Sequence, residues 1–105
     1  MMLVFASGTC PIEGAIAPLY FAKAPDSVNV YFACTQCGVV WLKPPPPNTV
    51  DSTNDFREYF PRGFVLPTRQ EISKAGLDGL VTAEFDLSQD ELTTEFKGYL
   101  YPLPV

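Results

Sequence analysis

The stretch YFACTQCGVVW, residues 31–41, sets two cysteines and a glycine between two apolar runs rich in β-branched and aromatic residues. In VNVYFA (28–33), Val28, Val30 and Phe32 alternate with Asn29, Tyr31 and Ala33, and VVWLK (39–43) is again apolar. Both runs read as strands and CTQCG as the turn between them. Toward the N-terminus, LVFAS (3–7) and AIAPLYFAKA (15–24) flank GTCPIEG, which Gly, Pro and Gly punctuate as a second turn. Pro18 confines its strand to a sheet edge or a bulge, because proline cannot donate to a ladder. The first 43 residues therefore predict two β-hairpins, each with cysteine at its tip.

Downstream, PPPP (44–47) stops the sheet and reads as a stiff connector. Residues 48–67 carry no regular pattern, although Phe56, Tyr59, Phe60 and Phe64 are apolar enough to be expected over the sheet. TRQEISKAG (68–76) has helix punctuation: Thr68 caps, Glu71 reciprocates three residues on, and Gly76 supplies the stop. LVTAEFDL (80–87) alternates as a half-buried strand. Residues 88–100 fit either helical or strand spacing, and the capping pair Ser88 and Glu91 favours helix. The expected fold is one α+β domain spanning the 105 residues: ribbon-like hairpins over 3–43, a connector and aromatic segment over 44–67, and a helix, strand and second helix over 68–105, packed on the sheet.

With 105 residues the core is modest and would profit from a staple. An odd count of three cysteines, two of them in a CxxC, fits a reducing compartment, so a cytoplasmic protein is expected. No apolar run approaches the roughly 20 residues of a membrane-spanning helix. The charge is uneven. Residues 1–43 balance Lys23 and Lys43 against Glu13 and Asp26, so the net −5 falls entirely in residues 44–105. Between Asp78 and Glu95 stand six acids and no base. Nucleic acid is therefore not an expected direct ligand, since neither half offers the clustered Lys and Arg that phosphates need.

The two turns resemble the knuckles of a zinc ribbon, a family in which paired CPxCG turns hold one metal. CTQCG at 34–38 matches the second knuckle in Cys34, Cys37 and Gly38, and CPIEG at 10–14 matches the first in Cys10, Pro11, its spacing and Gly14. The departure is Glu13, which stands where the family has cysteine. The resemblance covers residues 3–43 only and implies a structural Zn²⁺ on Cys10, Cys34, Cys37 and a fourth ligand, with Glu13 the favoured candidate because carboxylate oxygen also binds zinc. Two other readings stay open. One is a ribbon that kept its fold without metal and uses its cysteines as small apolar residues. The other is an open zinc site carrying water, or a Cys34–Cys37 redox pair.

An enzyme is not expected: the chain has no histidine, and no serine or cysteine stands in a nucleophile motif. A protein-binding module is. In size and charge the chain is similar to small acidic inhibitors such as bacterial immunity proteins, which would imply a basic protein partner met through complementary fields. The candidate contact residues are Glu84, Asp86, Asp90, Glu91 and Glu95, with Tyr99 and Tyr101 as aromatic anchors. The alternative is a zinc-ribbon adaptor of a transcription or RNA-processing assembly, presenting Ile12, Thr35 and Gln36 at the knuckles. A homodimer burying Trp41, Tyr31 and the terminal YLYPLPV is a third arrangement.

Overall fold

The computed structural model describes residues 2–10, 14–41 and 56–101, with residues 14–16 described by their backbone alone. Strands β1 (Met2–Cys10), β2 (Gly14–Lys23), β3 (Val30–Cys34), β4 (Val39–Trp41) and β5 (Ala83–Leu87) form one antiparallel sheet in the order β4-β3-β2-β1-β5. The first four follow one another as a meander, so the two predicted hairpins share a sheet through the β2–β3 pairing. Val28, expected in β3, lies before it and is 87% exposed. The proline run 44–47 and the irregular segment up to residue 55 lie outside the described residues.

β2 is central, and its Pro18 is accommodated by a bulge. The β1–β2 register shifts between the Ala6–Tyr20 and Thr9–Pro18 pairs. Gly8 sits in that irregularity with φ +65°, a left-handed conformation that costs glycine least, and its N–H donates to the Thr82 hydroxyl at 2.6 Å. A second shift, between the Thr9–Pro18 and Cys10–Gly14 pairs, follows at the position where proline has no donor.

Both faces of the sheet are covered, which is why its central strands read as near-continuous apolar runs. Along β2 and β3, Tyr20, Ala22 and Ala33 face one cluster, while Leu19, Phe21, Phe32 and Cys34 face the other. The first cluster is closed by the aromatic segment that follows residue 55. Phe56, Phe60 and Phe64 are buried there with Leu92 and Phe96, and Tyr59 packs half-buried against Tyr31. Each such phenylalanine contributes on the order of 2–3 kcal/mol by leaving water. The irregular reading of this segment is corrected in one respect: Phe56–Tyr59 makes a single helical turn, α1, too short to show a period. Two bridges, Lys23 to Val65 and Phe64 to Leu100, tie the rest of the segment down.

Helix α2 (Arg69–Lys74) covers the second cluster with Ile72, which is wholly buried. Its capping box is formed as the residues imply: the Glu71 N–H donates to Thr68 Oγ1 at 3.2 Å and the Thr68 N–H to Glu71 Oε1 at 3.0 Å. The predicted strand 80–87 is shorter than expected, because Asp78–Leu80 closes a 3-10 turn and pairing begins at Ala83. β5 then joins the sheet itself, beside β1. Residues Gln89–Glu95 form helix α3, and the Ser88–Glu91 box closes at its start. No helix among the described residues is long and apolar enough to cross a membrane.

Candidate metal centre

The meander brings the ends of β1 and β3 to the same end of the sheet. Cys10 closes β1 and Cys34 closes β3, while Cys37 lies in the turn to β4. Their three sulfurs all lie within 4.8 Å of one another, and Cys10 Sγ is 3.7 Å from Cys37 Sγ. A disulfide needs about 2.05 Å, and none joins them. Tetrahedral zinc with bonds of about 2.3 Å spaces its sulfurs about 3.8 Å apart, so the Cys10–Cys37 edge has the length of one edge of a metal site, and Cys34 lies close enough for its sulfur to join them. Among the described residues it is the one cluster of three metal-ligating side chains. Glu13, the sequence candidate for the fourth corner, lies outside the described residues, as do Pro11 and Ile12.

The turn is shaped to present sulfur. Gly38 takes φ +70°, and its N–H donates to the Cys34 carbonyl at 2.9 Å. The backbone N–H groups of Gln36 and Cys37 point at the Cys34 sulfur, and that of Val39 at the Cys37 sulfur. These donors favour thiolate, but burial outweighs them. Desolvation raises the Cys34 thiol above its ordinary value, and desolvation followed by the neighbouring Cys34 pushes Cys37 up to about 12. Cys10 and Cys34 are buried and Cys37 half-buried. Without a cation Cys34 and Cys37 are thus neutral thiols. A bound metal ion would supply the positive charge that three thiolates in an apolar pocket require.

Distant residues brace the turn from the other face of the sheet. The Thr35 hydroxyl donates to Glu95 Oε1 at 3.2 Å, and the Tyr20 hydroxyl donates to the same oxygen at 3.0 Å. The Tyr99 hydroxyl donates to the Thr35 carbonyl at 2.8 Å, and the Phe56 N–H to the Gly38 carbonyl at 3.1 Å. Burial and the adjacent Glu95 raise the Tyr20 phenol, so it stays protonated and donates. Apart from Phe56, these partners lie some 60–75 residues away from the positions they hold, and nothing local in sequence marks them.

The acidic candidates do not share one surface. Phe85 and Leu87 pack with the aromatic cluster, so alternation puts Glu84 and Asp86 on the opposite face, exposed, in register with Phe5 and Leu3. Asp90 and Glu91 are exposed on α3, on the aromatic side, where Glu91 also serves the capping box. Glu95 and Tyr99 are turned inward to the brace, and Tyr101 is 37% exposed with the Arg62 guanidinium over its ring at 5.2 Å. Trp41 is buried, its Nε1 without a hydrogen-bond partner among the described residues, and Tyr31 is half-buried. No protein-family model matches the chain, and neither a curated protein nor a solved structure is significantly similar to it.

Proposed function

We propose that this chain is a small, non-catalytic, zinc-stapled domain that works by binding another protein, a basic one, in the manner of an inhibitor or immunity protein. The observation that carries the staple is the triangle of Cys10, Cys34 and Cys37, whose 3.7 Å edge suits tetrahedral zinc and is far too long for a disulfide. Zinc there ties the two hairpin tips together at the end of the sheet, with Glu13 as the fourth ligand. The protein-binding role is supported by the charge of the second half, where Glu84, Asp86, Asp90 and Glu91 are all exposed. A complementary field of this kind speeds encounter with a basic partner and makes the complex sensitive to salt.

The alternative, a ribbon adaptor that docks through its knuckle, needs Thr35 and Gln36 outward. Gln36 is exposed, whereas Thr35 spends its hydroxyl and its carbonyl on Glu95 and Tyr99. That commitment favours the acidic surfaces over the knuckle. The staple is tested by Cys37→Ser with zinc present: the variant should melt well below the parent chain, and an unchanged melting temperature would remove the metal from the account. The binding role is tested by pull-down at low and high salt with Glu84→Lys, Asp86→Lys and Gln36→Lys variants. Loss on reversing the acids is expected; loss only at Gln36 would favour the adaptor.

A further inference from the structure

Strand β5 ends the sheet, and among the described residues it pairs with β1 alone. Its outer edge therefore offers a row of backbone donors and acceptors to an added strand. The side chains along that edge differ by face. Phe85 and Leu87, half-buried, form with Tyr20 the floor of an open groove of about 470 Å³ whose wall is Asp90, Glu91 and Glu95 of α3, and no base among the described residues lines it. Glu84 and Asp86 stand exposed on the opposite face of the same strand. Arg69, whose charge is felt by Glu84, is bound to Asp78 at 2.6 Å.

We infer that the β5 edge takes up an extended segment of a basic protein in which apolar and Lys or Arg residues alternate. Side chains of an added strand fall alternately on the two faces. Its apolar residues would lie beside Phe85 and Leu87 on the groove floor, and the basic residues between them beside Glu84 and Asp86. Further bases at its ends would meet the carboxylates of α3. A second copy of β5 is a poor occupant of the same edge, because it would set Glu84 and Asp86 against like charges. This inference rests on the reading of the chain as a binder of a basic protein, and adds where the partner sits and what pattern it carries.

The test is a titration of the isotope-labelled full chain, followed by amide NMR. The probe is the capped peptide Lys-Val-Lys-Phe-Lys-Val-Lys, and its controls are the same peptide with Glu for every Lys and a block-ordered peptide of the same composition. The alternating basic peptide should move the amide resonances of residues 83–87 and slow their hydrogen exchange, while the controls leave them in place. The double variant Glu84→Lys, Asp86→Lys should weaken binding on the order of tenfold without changing the melting temperature, since both side chains are exposed. Shifts confined to other surfaces would overturn the edge site and leave the binder reading standing. Equal effects of the basic and acidic peptides, or none from either, would overturn both. Shifts at β5 that grow with protein concentration alone would assign the edge to a second copy and overturn the proposal.

Discussion

Glu71 illustrates how much one side chain does here. It closes the capping box of α2 and meets Lys23 Nζ at 3.3 Å, reaching from the helix to β2. The Thr68 N–H first, and Lys23 after it, hold its carboxyl below the ordinary range. A depressed folded-state pKa contributes stability above the unfolded value, about 4.3, and loses it as pH falls through the folded value. Glu71→Gln keeps the cap acceptor and loses the charge, so it should melt lower than the parent chain at pH 7 and converge with it below about pH 4. The gap should stay at about 0.5 kcal/mol, because the carboxylate is 40% exposed and screened. Thr68→Ala removes the cap itself and should cost about 1 kcal/mol in denaturant unfolding. Both capping boxes were legible in sequence because a capping box is a contact between residues three apart. The brace of Tyr20, Thr35, Glu95 and Tyr99 was not, since its members meet only once the sheet has formed.

At the level of elements, the hairpins, α2 and α3 follow from alternation and end signals that the chain carries locally. What local pattern could not supply is the sheet order, the entry of β5 beside β1, and the single turn of α1 under the knuckle. Alternation did place Glu84 and Asp86 together on the solvated face of their strand, but not α3's acids on the other side of the sheet, because that depends on which face α3 covers. Gly63 and Gly76 separate conformational strain from packing. Both have positive φ, +91° and +77°. A Cβ at Gly63 would lie 2.6 Å from the Tyr101 nitrogen and 2.7 Å from the Leu100 carbonyl carbon, whereas one at Gly76 meets nothing within 4 Å. Gly76→Ala should therefore cost only the left-handed strain, about 1 kcal/mol. Gly63→Ala should cost several times that by prying the aromatic segment from the C-terminal one, a difference that parallel urea melts would read.

For the whole molecule, a sheet covered on both faces separates two apolar clusters, and the hairpin tips at one end carry the three thiols. The Cys34–Cys37 turn is the point where these parts converge, held by the brace on one face and facing Cys10 on the other. The three cysteines were legible through the resemblance of the two turns to ribbon knuckles, because knuckle geometry is local and hairpin pairing brings Cys10 to the same end, whereas Glu13 lies outside the described residues. The measurement that bears most directly on the account is the zinc-to-protein ratio of the chain after chelator challenge, by elemental analysis, with Cys37→Ser alongside. The account predicts about one zinc per chain, and its loss together with a lower melting temperature in the variant. A ratio near zero in the parent chain, with the sheet intact, would contradict it and leave the three cysteines as buried apolar residues.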